Sequence, residues 1–425
     1  MISGLRRWTS GTLLVALASC GGDGPKARGQ AEGAGRPQAT EDSGVERRDA
    51  DAQSRRQNRD FRVATYNAGL AVGVLKYAEE RVAPLVRTLA EQRADLLCVQ
   101  ELWLEEHWQK LVLATKEVLP NTYRLPPEKV SGSCEAEELT PLVACATASC
   151  SGRPLHELAY CMLRSCARPL ERLSPDCFQC LAASPRGSPA DLALACAPRG
   201  KKEGAPASAS TRRKGGPESF RVYSGSSGTG LLTNAEILEQ DALILPSVLD
   251  RRAVLYAKLA TPVGELHTFC THLTANLGGV PHPGRGSFQL DQSAQIDALI
   301  GFMEQKASGG TALLLGDLNT GPAVAPHISS ILPRHYERLL GRGFLNPYAS
   351  QADVKCTYCF DNPLEGKSGT RGHLIDHILL RNFTGRVTSE QMMRPSLMLE
   401  HGGRPVQSGY SDHYGVTVTL STPET

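Results

Sequence analysis

The chain has almost no net charge: 46 basic and 44 acidic side chains leave +2 over 425 residues. Nucleic-acid binders usually carry a basic excess, so the overall balance lends that class no support. A basic cluster, Lys201, Lys202, Arg212, Arg213 and Lys214, lies among Gly, Ser, Pro and Ala and reads as a solvated loop. Aromatic residues are scarce at 5%, and no exposed aromatic hairpin that would enter a bilayer stands out. Long apolar runs are missing too; nothing approaches the roughly 18 residues that suggest a membrane span. What remains is ordinary globular composition, 41% hydrophobic and 21% charged, enough for one large domain with additions or for two.

Cysteine is abundant instead. Thirteen cysteines are unusual in a cytosolic enzyme and fit an oxidising compartment. Arg6 and Arg7 precede the short run Leu13-Leu14-Val15-Ala16-Leu17-Ala18, which has the form of a secretory signal peptide. Leu17-Ala18-Ser19-Cys20 further resembles the lipobox of bacterial lipoproteins, in which the cysteine is acylated and becomes the first residue. Residues 1–20 are therefore expected to direct export and to leave Cys20 anchored in a bacterial outer membrane. Plain cleavage after a small-residue site would give a secreted protein instead. Residues 21–60 are rich in Gly, Arg, Asp, Glu and Gln and cannot bury enough surface to order themselves. As a coil they would span roughly 30–40 Å, which suits a tether.

Order is expected from Phe61, where Phe61–Tyr66 reads as a strand. Val82, Leu85, Val86 and Leu89 follow at helical spacing, with Pro84 best suited to that helix's first turn. Further strands are expected at Leu96–Val99, Gly230–Thr233, Ala253–Leu259, Leu266–Cys270, Ala312–Leu315, Leu374–Leu380 and Gly415–Leu420. Ile296, Leu299, Ile300 and Met303 give another helix. This alternation argues for a mixed α/β domain over residues 61–130 and 219–420.

Residues 131–218 interrupt it. Cys134, Cys145, Cys150, Cys161, Cys166, Cys177, Cys180 and Cys196 repeat in their early part with a period of 16, and Leu155, Leu158, Met162 and Leu163 suggest short helices between them. An even count in an exported chain implies up to four disulfides, whose connectivity the sequence leaves open. Zinc is the competing reading, weakened because Cys177 and Cys180 form the insert's single C-x-x-C pair. The expectation is a small stapled subdomain followed by a loop over 199–217. Elsewhere, Cys98 and Cys270 fall in expected strands, free or paired, and Cys356 and Cys359 suit a local loop bridge.

The chemically informative pattern lies at strand ends. Apolar strands lead in turn to Asn67, Glu101, His272, Asp317 with Asn319, and Asp376, while Asp412 and His413 precede the last strand. Buried groups of this kind need partners, because an unpaired buried charge is costly. Singly each has a bland alternative. Asn67 before Ala-Gly suits a turn, Glu101 a cap, His272 a hydrogen-bonded core position, Asp317-Leu318-Asn319 an Asx turn and Ser411-Asp412-His413 a loop.

Together, Tyr66-Asn67, Val99-Gln100-Glu101, Thr271-His272-Leu273, Gly316-Asp317-Leu318-Asn319, Leu374-Ile375-Asp376-His377 and Ser411-Asp412-His413 resemble the endonuclease/exonuclease/phosphatase superfamily. That group includes pancreatic-type deoxyribonucleases, abasic-site endonucleases, inositol polyphosphate phosphatases and bacterial neutral sphingomyelinases. All six blocks stand in the expected order; the cysteine-rich insert has no recognised counterpart. The resemblance implies a four-layer αββα sandwich of two mixed sheets flanked by helices, and a Mg²⁺-dependent phosphoesterase, with Mn²⁺ or Ca²⁺ as alternatives. It implies that Glu101 is the principal metal ligand, helped by Asn67, with Asp412 contributing to a second position. Asp317 would orient and deprotonate water, Asn319 would hold that water or a phosphate oxygen, His272 and His413 would donate to the phosphoryl oxygens, and Asp376 would orient His413. The expected substrate is a phosphodiester, a phospholipid headgroup slightly before nucleic acid, and the expected state is a monomer. A non-catalytic surface module is the alternative from another class.

Overall fold

The computed structural model describes residues 60–72, 75–128, 134–152, 161–183, 196, 222–365 and 371–422. The expectations for the signal peptide, the lipobox, the tether up to residue 59, Leu155 and Leu158, and the loop 199–217 fall outside them.

The apolar runs form strands that build two sheets. β1 (Asp60–Asn67), β2 (Leu96–Gln100), β3 (Asn121–Tyr123), β4 (Gly230–Thr233), β12 (Arg386–Met392) and β15 (Gly415–Ser421) make a six-stranded sheet ordered β12-β15-β1-β2-β4-β3. β5 (Glu236–Leu245), β6 (Arg252–Thr261), β7 (Gly264–His272), β8 (Ala312–Asp317) and β11 (Asp376–Arg381) make the second, ordered β11-β8-β7-β6-β5. Both are mixed: β1 pairs β2 in parallel and β15 antiparallel, and β8 pairs β7 in parallel and β11 antiparallel.

The sheets face each other. Phe61, Val63, Leu96 and Cys98 meet Leu255, Ala257, Leu266, Cys270, Leu313, Leu315 and Ile378 in one core. The outer face of the first sheet packs on α1 (Ala78–Glu91) and α2 (Glu105–Thr115) through Tyr66, Leu97, Leu85, Leu89, Trp108 and Leu111. That of the second packs on α6 (Phe288–Lys306) and α7 (Pro333–Leu340) through Phe269, Leu314, Ile296, Leu299 and Leu339. This is the four-layer αββα sandwich. Strands buried on both faces have no need of polar alternation, which is why Ala312–Leu315 reads as a continuous apolar run. Each such leucine contributes about 1.5–3 kcal/mol by burial.

Two readings need correcting. Pro84 does not open a helix: α1 starts at Ala78, so Pro84 lies in its second turn, beyond the first four residues whose amides lack intrahelical partners. The strand expected from Leu374 starts at Asp376, two residues later.

Between β3 and β4 lies the helical, disulfide-rich region, with α3 (Ala136–Cys150), α4 (Ala167–Glu171) and α5 (Pro175–Ala183). Its bridges are Cys134–Cys177, Cys145–Cys166, Cys150–Cys161 and Cys180–Cys196. The first three are nested, as rungs closing an antiparallel ladder. Cys177 and Cys180 take different partners, so the C-x-x-C pair has no thiols left for zinc. The region has its own small core around Leu139, Leu142, Leu170, Leu173 and Phe178. Cys98–Cys270 joins β2 to β7 across the two sheets, and Cys356–Cys359 closes a local loop. Six bridges use twelve of the thirteen cysteines; Cys20 lies outside the described residues. Among the described residues, no helix is long and apolar enough to cross a membrane.

Candidate active site

Side chains in a strand alternate between faces, so the last inward residue of each core strand points into the mouth of the sandwich. Leu313 and Leu315 lead to Asp317, Cys270 to His272, and Leu380 and Ile378 back to Asp376. Register places them in one row: His272 lies opposite Asp317 on one side and Asp376 opposite it on the other. Val63 leads likewise to Asn67 on the facing sheet. Gly316 permits the β7–β8 approach; a Cβ there would sit 1.8 Å from the Thr271 carbonyl oxygen, and its φ of +145° disfavours other residues.

Asp317, 1% exposed, is the hub. Its Oδ2 accepts from Asn67 Nδ2 at 2.9 Å and lies 3.3 Å from His272 Nε2, and its Oδ1 accepts from the Asn319 amide at 2.9 Å. Burial alone would raise its pKa, but the His272 and His413 charges and the hydrogen bonds from His272 and Asn67 hold it well below the usual carboxylate range. His272 Nδ1 is buried with no hydrogen-bond partner. Its Nε2–H faces Asp317 Oδ2. The Asn319 side-chain Nδ2 donates to the Leu273 carbonyl at 3.0 Å and lies 3.2 Å from His272 Nε2.

His413 Nδ1 donates to Asp376 Oδ2 at 2.8 Å, while its Nε2 sits 3.9 Å from Asp317, beyond hydrogen-bonding distance and turned into the site. Burial opposes the charged imidazole, yet Asp376, Asp412 and Asp317 outweigh it and push the His413 pKa well up. Burial also raises the Asp376 pKa; His413 offsets part of this, and the Asp317 charge adds to it. Asp376 Oδ1 is buried with no hydrogen-bond partner. The Ser411 hydroxyl donates to Asp412 Oδ1 at 3.1 Å and accepts the His413 amide, forming the tight turn that presents the imidazole.

Glu101, half-buried and at φ 54°, turns off the end of β2. Asn67 Nδ2 also donates to its Oε1, at 3.1 Å. Glu101 has no ion-pair partner among the described residues. Four carboxylates (Glu101, Asp317, Asp376 and Asp412) thus converge on two imidazoles, with an orphaned carboxylate oxygen among them. Hard oxygen donors that outnumber the cationic groups around them suit a hard divalent cation. Asp317, Asp376 and His413 also offer ligand atoms within 4.8 Å of one another. Asp412, half-buried, sets its Oδ1 against the Gly69 turn, and its charge acts on His413.

Sequence reasoning missed Arg81, which is fully buried on α1. It donates to the carbonyls of Ala68, Gly69, Lys76 and Tyr410, tying the turn after Asn67 to the turn before His413. Its signal was available, since Arg81 occupies the apolar face set by Ala78, Val82 and Leu85. Trp103 and Tyr223, stacked at 5.0 Å, were also missed. Burial raises the Tyr223 pKa, the Glu101 and Asp250 charges add to it, and the hydroxyl donates to the Val72 carbonyl at 3.3 Å.

The solved structures with this architecture include a beta toxin from Staphylococcus aureus with bound magnesium ions. It is 12% identical, with 86% of this chain and 100% of that chain covered and a TM-score of 0.50. A sphingomyelinase C from Streptomyces griseocarneus is 14% identical over 85% and 99% of the two chains, with a TM-score of 0.49. A mannosyl-6-phosphatase from Bacteroides thetaiotaomicron is 13% identical over 84% and 98%, with a TM-score of 0.45. No curated protein matches the sequence. The family model for the endonuclease/exonuclease/phosphatase family matches residues 64–413, from β1 to the site's last histidine, and the chain belongs to that family.

Proposed function

We propose that the chain is an exported hydrolase that cleaves a phosphodiester by in-line attack of water, with Mg²⁺ as its ion. The observation that carries this reading is the Asp317 hub, an ionised carboxylate ringed by Asn67, His272 and Asn319, with the His413–Asp376 pair opposite.

Asp317 accepts hydrogen bonds on both oxygens and is aligned to orient the attacking water and receive its proton. His413 keeps Nε2–H free for a phosphoryl oxygen, and Asp376 fixes its tautomer and supports its charge. His272 and Asn319 line the same row and offer N–H groups as negative charge builds on the phosphoryl group. Glu101 and Asn67 would hold the ion, with Asp412 contributing to a second position, and the ion would supply Lewis-acid stabilisation of the phosphate. The Asn67 amide nitrogen faces Glu101 and Asp317, while its oxygen accepts from the Gly69 amide. An ion held by Asn67 would call on that oxygen.

A phospholipid headgroup is favoured over nucleic acid. Twelve paired cysteines leave Cys20, at the lipobox, as the one available for acylation, and a tether of residues 21–59 would hold a monomeric domain near lipid. Insertion into the bilayer is not part of this reading. The hairpin before the site, β13 (Leu397–His401) and β14 (Arg404–Ser408), turns through Gly402-Gly403, divides evenly between apolar and polar side chains with Met398 exposed, and carries no Phe, Trp or Tyr. Hydrolysis of sphingomyelin, DNA and bis-p-nitrophenyl phosphate with and without Mg²⁺ tests the proposal. Mg²⁺-dependent release from the lipid supports it, turnover of DNA alone moves the assignment to a nuclease, and no turnover of any substrate refutes it in favour of a binding module.

A further inference from the structure

The Cys356–Cys359 loop lies outside the catalytic row yet touches the His413–Asp376 pair from two sides. Thr357, between the cysteines, is fully buried. Its hydroxyl oxygen accepts the amides of Ile375 and Asp376, both at 3.1 Å, at the point where β11 begins. Its carbonyl accepts the Tyr414 amide at 2.8 Å, one residue past His413, and its own amide donates to the His373 carbonyl at 2.9 Å. One residue therefore ties down the backbone beside both members of the pair. Tyr358 completes the cradle: it bridges to His413 through the backbone, and the two ring centroids lie 5.2 Å apart. The Tyr358 hydroxyl donates to Glu365 Oε1 at 2.6 Å, which fixes the ring.

The disulfide makes this a closed loop rather than a free strand end. β9 (Tyr358–Cys359) is only two residues long and pairs with the equally short β10 (Gly372–His373). Two such strands order little by themselves. Cys356 is pinned further by the Gln391 side chain, which donates to its carbonyl at 2.7 Å, and it packs so closely on Gly372 that a Cβ there would lie 2.7 Å from its sulfur.

We infer that Thr357, held by the Cys356–Cys359 bridge, is a positioning residue that sets the Asp376–His413 geometry for catalysis. This rests on the reading of that pair as catalytic. The bridge's part is mechanical and involves no redox step; thiol reductants are a poor probe, because five other disulfides would be exposed to them.

The test uses the full chain with Thr357→Val, Thr357→Ser and the double variant Cys356→Ser/Cys359→Ser. Two readouts are taken: Mg²⁺-dependent turnover, and the downfield NMR resonance of the His413 Nδ1 proton, which needs no turnover. Loss of the Thr357 oxygen should lower kcat by roughly 10- to 100-fold with KM within about twofold, the size usual for a residue acting through another. The Nδ1 resonance should shift or broaden. Thr357→Ser should restore both to near wild-type values, and the double variant should behave like Thr357→Val while keeping a cooperative thermal transition. An unmoved resonance in both Thr357→Val and the double variant overturns the inference. A shifted resonance with a wild type inactive on every phosphodiester supports the positioning and refutes the catalytic reading alone.

Discussion

His377 should make the stability of this protein fall in acid before its carboxylates do. The side chain is 1% exposed, next to Asp376, and its neutral tautomer is fixed from both sides. Nε2–H donates to the Thr320 carbonyl at 2.8 Å, and Nδ1 accepts from Asn346 Nδ2 at 2.8 Å. The Asn346 amide cannot turn over, because its oxygen accepts the amides of Tyr348 and Ala349. A proton on Nδ1 would face an N–H, and burial already drives the pKa down from 6.5 to about 4. The unfolded chain therefore binds a proton that the folded chain refuses. The contribution is complete above about pH 6.5 and is lost as pH falls toward 4, about 2 kcal/mol of it by pH 5 and about 3 kcal/mol in all. Urea unfolding at pH 7, 6 and 5, followed by tryptophan fluorescence, measures it against His377→Gln, which keeps one donor and one acceptor but cannot titrate. Other acid-sensitive groups are common to both proteins and cancel. The wild-type stability should drop about 2 kcal/mol further than the variant's between pH 7 and pH 5. Equal losses, or an imidazole titrating near 6.5 by NMR, would refute the reasoning. The Thr320 carbonyl follows Asn319, so the same protonation should loosen the end of β8 that carries the site.

Asp317→Ala or His413→Ala should lower turnover by roughly a thousandfold or more, with the far-ultraviolet circular dichroism spectrum unchanged; an unaltered rate removes these residues from the chemistry. Replacing Cys98 and Cys270 together with Ala opens a link across 172 residues. Loop entropy alone gives about 5 kcal/mol, and the four bridges inside that loop reduce it, so a loss of about 2–5 kcal/mol is expected in denaturant titration. Arg81→Leu leaves four carbonyls without their donor and should cost about 3 kcal/mol or more, together with activity, since both loops it joins carry site residues; Arg81→Lys should recover part of each.

The parts of the fold legible in the sequence were those where burial is two-sided. Leu96–Gln100 and Ala312–Asp317 are apolar runs because helices and the opposite sheet cover both their faces. The strands that were missed lie toward the edges. β5 is a long outer strand with the mixed sequence Glu236–Leu245, mostly exposed, and β12 alternates Val387, Ser389 and Gln391 with exposed neighbours and so resembles a loop. The candidate site residues stood out in the sequence because they flank core strands and their order matches a known pattern. The position of Arg81 on an apolar helix face was legible, but its partners and those of Thr357 were not, since both residues act on backbone carbonyls and amides. Such partners leave no mark in the sequence, because every residue has them.

The pairing of β1 with β15, Asp60 opposite Ser421, has a consequence for how the polypeptide is made. β15 lies between β12 and β1, so until the last strand is available both neighbours present open hydrogen-bonding edges. Some 350 residues must be synthesised between the two partners, and the closing step is the most non-local contact in the described structure. Loss of residues 415–421 would thus remove the keystone of the first sheet rather than trim a tail. A nascent chain awaiting that strand is the species most exposed to aggregation.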